Sequence, residues 1–108
     1  MLKAEFFVSD SGTIKGFDIS GHSGYEQSGK DIVCAAVSSA AYMVVNTIAD
    51  VIRAEVNAQI DEVVGHMNFL VHDKYLSDCS YILQGFKNHL LFLEEMYPEN
   101  IEVFYKEV

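Results

Sequence analysis

Eighteen consecutive residues, Ile32 to Ala49, carry no charge, and an acid closes the run at each end, Asp31 and Asp50. That length stands at the threshold for a bilayer span. The details favour a soluble core helix instead: Ser38, Ser39, Asn46 and Thr47 interrupt the run, and no Lys or Arg cluster marks a cytoplasmic end. A helix apolar nearly all round in a soluble protein is buried on more than one side. The spacing predicts a helix from about Asp31 to about Ala54, with Val33, Val37, Ala40, Val44, Ile48 and Val51 on its apolar side. The opposite side carries Ala35, Ser38, Ser39 and Tyr42 and leaves room for another helix to pack closely. Such a helix also suggests a symmetric homodimer that buries what one sheet leaves uncovered.

Around this helix the pattern alternates between strands and helices. Leu2, Ala4, Phe6 and Val8 share one face of a strand from Leu2 to Val8, and Ser9-Asp10-Ser11-Gly12 supplies turn chemistry before a second strand from Thr13 to Ser20. These form an expected antiparallel hairpin. Gln59 to Val64 and His66 to Val71 read as two short strands about Gly65 or as one longer bent strand. A second helix, Lys74 to Met96, repeats its apolar side as Leu76, Cys79, Leu83, Phe86, Leu90 and Leu93 and stops as Pro98 approaches. Ile101 to Val108 closes the chain as a last strand. The expected fold class is α+β: a two-layer domain, a mixed sheet of four to five strands carrying two long helices. No linker, repeat or low-complexity stretch divides the 108 residues, so residues 1–108 are expected to form a single domain.

Charge narrows the partners. Seven Lys plus Arg stand against sixteen Asp plus Glu, a formal charge of −9. The long-range field therefore repels nucleic acid and anionic membrane and attracts basic partners. Direct nucleic-acid binding and membrane association are not expected. The two cysteines lie forty-five positions apart, and Met1-Leu2-Lys3-Ala4-Glu5 lacks the apolar run of an export signal. Both features suit free thiols in the cytoplasm.

The chemistry-bearing stretch runs from Gly21 to Ser38. His22 and Cys34 flank a loop punctuated by Gly24 and Gly29, and Cys34 falls in the first turn of the apolar helix. Unpaired backbone N–H groups at a helix N-terminus favour thiolate over thiol. Asp31 lies three residues before Cys34 and Ser38 four after it, so both share its helix face. Asp31 reads equally well as a helix cap and as a supporting catalytic group. His22 is twelve residues upstream of Cys34, a link that could span up to roughly 40 Å extended. Contact therefore requires the loop to fold back. A thiol that attacks a carbonyl needs a base to take its proton and an acid to protonate the leaving amine, and His22 could be both. Cys79, mid-helix on an apolar side with no such accessories, reads as core. Tyr25 and Tyr42 are hydrophobic candidates near the site, each equally readable as core or interface.

Cofactors and metals find no support. His22, Cys34, His66, His72, Cys79 and His89 match no common zinc spacing, and Gly21-x-x-Gly24 followed by Gly29-Lys30-Asp31 lacks the pattern of a phosphate-binding loop.

The run Gly21-His22 through Gly29-Lys30-Asp31-Ile32-Val33-Cys34-Ala35-Ala36-Val37-Ser38 resembles the signature of the ribosomal-processing cysteine proteases, the Prp family of Firmicutes and related bacteria, and the likeness extends over the whole chain. The resemblance implies an endopeptidase that removes a short N-terminal extension from large-subunit ribosomal protein twenty-seven, cutting after a hydrophobic, aromatic-containing sequence. It implies Cys34 as nucleophile and His22 as general base and acid, with Asp31 and Ser38 lining the site. It implies that Gly21, Ser23, Gly24, Tyr25, Gly29 and Lys30 belong to a flexible segment that gates substrate entry, Ser23 standing where many relatives have alanine. The partner implied is a basic ribosomal protein, and no cofactor is implied. The competing reading is a non-catalytic binding module of ribosome assembly with an inert, buried Cys34. A redox sensor lacks a nearby resolving cysteine.

Overall fold

Leu2, Ala4 and Phe6 turn to the core while Lys3 and Glu5 turn away, and this alternation makes Leu2–Val8 the strand β1. A computed structural model describes residues 1–21 and 31–108 of the chain. The expectations for His22, Ser23, Gly24, Tyr25, Gly29 and Lys30 lie outside the described residues. β1 is followed by β2 (Ile14–Ser20), α1 (Ile32–Asn46) with a π-helical extension Thr47–Ile52, β3 (Val56–Asp61), β4 (His66–Val71), a 3₁₀ turn Asp73–Tyr75, α2 (Leu76–Met96) and β5 (Ile101–Glu107).

The five strands form one mixed sheet in the order β3-β4-β2-β1-β5, with β5 parallel to β1 and the other neighbours antiparallel. This is the α+β architecture expected. Its two crossovers explain why both helices lie on one face. β2 leads through α1 to β3, and β4 leads through α2 to β5, each skipping at least one strand. The two crossovers start from oppositely directed strands and move in opposite directions across the sheet. With both right-handed, α1 and α2 must land on the same side.

Beneath the helices, Phe6, Phe17 and Phe69 stand directly opposite one another on β1, β2 and β4. Phe86 of α2 covers them edge-on, 5.7 Å from Phe6 and 4.8 Å from Phe17 between ring centroids. Tilted and edge-to-face rings add to the burial term. Across the sheet, β4 passes so close to Gly16 of β2 that a Cβ there would lie 2.0 Å from the carbonyl oxygen of Phe69. The uncovered sheet face is more polar: Asp18 accepts hydrogen bonds from His66 and Asn68, both at 2.8 Å.

Three expectations need correction. Helix α1 is not buried on more than one side within the chain: Val33, Val37, Ala41, Val44 and Ile48 are buried, whereas Ile32, Ala35, Ser38, Ser39 and Met43 are exposed. Val51 is 76 % exposed rather than on the core side. The cause is the π-helical extension, in which the Arg53 N–H donates to Ile48 O. An i to i+5 turn advances each residue by a smaller angle than an α-turn, so the 3.6-residue extrapolation overshoots. Finally, β3 starts at Val56 and ends at Asp61, earlier than expected. The Asp61 carboxylate accepts from the N–H groups of Val63 (3.0 Å) and Val64 (3.3 Å), which turns the chain before Val64 can extend the strand.

By length and composition alone, Ile32–Ile52 would pass for a membrane span. Its buried side instead shares one hydrophobic cluster with Phe17, Phe69 and Leu83. It is the core helix of this fold.

Candidate active site

The site is built where β2 ends and α1 begins. Gly21, just past β2, has φ +82, and a Cβ there would lie 2.8 Å from the carbonyl oxygen of Met1. Both the backbone conformation and the close approach call for glycine at this position.

Asp31 is the N-cap of α1, in extended conformation at φ −78, ψ 102. Its Oδ1 accepts from the N–H groups of Val33 and Cys34, each at 3.0 Å, and its carbonyl oxygen accepts from the Ala35 N–H. At 6 % exposure it is the buried charged residue of the described core. An Asp at this position satisfies two otherwise orphaned donors and stabilises the helix end. It thereby fixes the first turn that carries Cys34. Asp31→Asn should retain most of that stability, because an amide oxygen still caps, whereas Asp31→Ala should cost about 1 kcal/mol. Thermal denaturation of the two variants measures the difference.

Cys34 is half-buried in that first turn. Its side chain leans toward the helix N-terminus, as helical Cβ atoms do. Ser38 follows one turn later and is exposed. Asp31 and Cys34 therefore stand at the start of α1, and Ser38 lies one turn further along it. His22 lies outside the described residues.

Cys79 contrasts with Cys34 in burial. It is 0 % exposed in α2, and burial first, then the Asp78 carboxylate, push its thiol pKa up. Its thiol stays protonated at neutral pH. Neither cysteine forms a disulfide. Native protein should therefore show one thiol reactive toward a thiol-specific reagent, and denatured protein two. Rapid labelling of Cys79 in the native state would contradict this geometry.

A cleft of about 270 Å³ opens beside the same helix, between α1 and the β3–β4 hairpin, and Val37 and Ser38 are among its lining residues. Across it the Tyr42 hydroxyl donates to Glu62 Oε1 at 3.2 Å. Desolvation, then the hydrogen bond to Glu62 and its charge, raise the Tyr42 pKa, so the phenol remains a donor. Sequence reasoning noticed Tyr42 but not Ile19, Ile60 or Met67, which come from three strands. No spacing rule links such positions. Among the described residues, no group of three or more His, Cys, Asp or Glu is placed to hold a metal ion.

A small α+β scaffold that presents a half-buried thiol at a capped helix start, beside an apolar cleft, has the parts of a thiol hydrolase. Residues 1–102 match the family described as cysteine protease Prp. The chain is 30 % identical over 106 residues to the ribosomal processing cysteine protease Prp of Staphylococcus aureus, covering 98 % of this chain and 100 % of that one. The crystal structure of that essential S. aureus protease with a covalently linked product peptide superposes with a TM-score of 0.90, at 30 % identity and with 98 % and 100 % of the two chains covered. A Streptococcus mutans crystal structure gives a TM-score of 0.83 at 27 % identity, covering 100 % of this chain and 96 % of that one. These likenesses define the class: the protein is a cysteine protease, a hydrolase. The chain belongs to the Prp family of cysteine proteases.

Proposed function

We propose that the protein is the endopeptidase that removes the short N-terminal extension of large-subunit ribosomal protein twenty-seven during ribosome maturation. The observation that carries the reading is the Asp31-capped first turn that bears Cys34, on the helix whose next turn, at Val37 and Ser38, lines an apolar cleft. The S. aureus relative with its covalently linked product peptide supports a nucleophilic route for this fold.

In this reading His22 takes the proton of the Cys34 thiol, and the thiolate attacks the scissile carbonyl carbon. The tetrahedral intermediate collapses to a thioester as His22 protonates the departing amine. Water, deprotonated by His22, then releases the carboxylate product and restores the thiol. Backbone N–H groups at the start of α1 hold the developing oxyanion, and the cap narrows which of them can do so. Asp31 occupies the N–H groups of Val33, Cys34 and Ala35, and of the first turn the Ile32 N–H is the donor we assign to the oxyanion. Asp31 is then a positioning residue, and Ser38 lines the substrate path. The glycine segment Gly21, Ser23, Gly24, Tyr25, Gly29 and Lys30 gates it.

A net charge of −9 suits a substrate whose body is a basic ribosomal protein, and argues against direct binding of nucleic acid. The setting of such a reaction is the cytoplasm, and one domain spanning residues 1–108 performs it. The exposed apolar side of α1, with Ile32, Ala35 and Met43, supports a symmetric homodimer. Light scattering at micromolar concentration should give twice the 12.1 kDa chain mass, and a mass near 12.1 kDa would refute it. The activity itself is tested by incubating a peptide that carries the extension with wild type, Cys34→Ala and His22→Ala under reducing conditions. An intact peptide with wild type would overturn the reading.

A further inference from the structure

We propose that the groove where α2 ends and β5 begins docks a lysine- or arginine-bearing stretch of the polypeptide being cut, on a floor of Leu91, Pro98 and Ile101 under a rim of Glu94, Glu95 and Glu102. The inference rests on the protease reading above, in which the body of the substrate is basic, and assigns where on the enzyme that body is held.

Charge is the first argument. Between Lys87 and Lys106 the chain carries Glu94, Glu95, Glu99 and Glu102 and no Lys or Arg. Glu94 and Glu95 stand in the last turn of α2, which holds no basic residue. The carbonyl end of a helix carries partial negative charge, so acids placed there cost stability and deepen the local negative potential. Among the described residues none of the four is ion-paired, although Lys3 stands opposite Glu102 in the register of β1 and β5. The field of the groove is left for a partner to neutralise.

Shape is the second. The groove has about 530 Å³, with its apolar floor below the carboxylates. Long cationic side chains lay their methylene stems on apolar surface and keep their charged heads at a polar edge. A bare metal ion gains nothing from such a floor. Glu94 is also fixed in advance: its Oε2 accepts the Val103 N–H at 2.7 Å. A carboxylate already held in place lowers the ordering cost of binding.

Position is the third argument. β2 ends, and β1 and β5 begin, at one end of the sheet: Lys3 pairs with Ser20, and Leu2 with Ile101. Met1, which also lines the groove, passes against Gly21, where a Cβ would lie 2.8 Å from the Met1 carbonyl oxygen. α1 starts at that same end, since its Val37 and Ser38 face the turn between β3 and β4. The groove and Cys34 therefore open at one end of the fold. β5 lies two strands from β2, roughly 10 Å, a distance that about three extended residues cross. One polypeptide reaches both.

The test separates docking from cleavage by measuring affinity on the full chain carrying Cys34→Ala. Two fluorescein-labelled peptides carry the extension and, after the scissile bond, a segment with three lysines or the same segment with three glutamines; both are titrated by fluorescence anisotropy at low salt. The lysine peptide should bind about fivefold tighter, the size expected of a few ion pairs at a solvated rim. Added salt should shrink that preference. Adding Glu95→Lys and Glu102→Lys, at exposed positions that leave the Glu94 hydrogen bond intact, should erase or reverse it. Glu95→Gln with Glu102→Gln is the milder pair should the reversal melt early, and should reduce the preference to about twofold or less. Equal Kd values for the two peptides, or a full preference retained by either folded variant, would overturn the docking assignment. A protease reading that failed would show instead as wild type leaving the lysine peptide uncut, a result the Kd values do not depend on.

Discussion

Cys34→Ala is expected to lower kcat/KM for the extension peptide by about 10⁴-fold or more, with peptide Kd changed by less than a few-fold. The size follows from the role. Removing the sulfur removes the covalent route itself, whereas its loss from a half-buried position leaves the Asp31 cap and the neighbouring cleft in place. His22→Ala should cost about 10²- to 10⁴-fold, the usual contribution of a positioned general acid and base. Cys79→Ala is the control: it removes a core thiol and should leave kcat/KM intact, at a modest cost in stability. Cleavage by Cys34→Ala at the wild-type rate would move the nucleophile elsewhere. Full peptide binding without any cleavage by wild type would favour the binding-module reading.

Gly16→Ala is expected to be the most damaging single methyl group in the sheet, lowering stability by about 3 kcal/mol or more. Its Cβ would lie 2.0 Å from Phe69 O and 2.9 Å from the Leu70 Cα, both backbone atoms of the neighbouring strand. A flexible side chain could swing aside; a strand cannot without breaking the β2–β4 pairing that places Phe17 against Phe69. For a domain of this size stability totals about 5–15 kcal/mol. The loss should lower Tm by roughly 10 °C or more, measured by calorimetry. Gly85→Ala makes the opposite case: a Cβ there meets nothing within 4 Å on an exposed turn of α2, so that variant should gain about 0.5–1 kcal/mol. If the two variants melted together, the close strand approach at Gly16 would be wrong.

Periodicity made most of the elements legible. β1 and β4 have the expected bounds, and α2 buries Cys79, Leu83, Phe86, Leu90 and Leu93 as its apolar repeat implies. Local repetition suffices there because a strand or helix with one apolar face has one way to bury it. The misses share a cause. The π-helical extension after Asn46 and the Asp61 turn each depend on local hydrogen bonding, to a backbone carbonyl in the first and to a side-chain carboxylate in the second, and neither changes composition or spacing.

The site divides the same way. From the sequence alone came a thiol at a helix start, an acid three residues before it, a histidine across a glycine-rich loop, and a family signature joining them. These features are contiguous in the chain, and contiguity is what a motif records. The structure adds the geometry of the local cap, in which the Asp31 carboxylate accepts from the Val33 and Cys34 N–H groups. Only the tertiary structure brought Ile19, Tyr42, Ile60 and Met67 around one cleft. The physical reason is that a pocket is made by packing elements distant in sequence, whereas a helix start is made by neighbours.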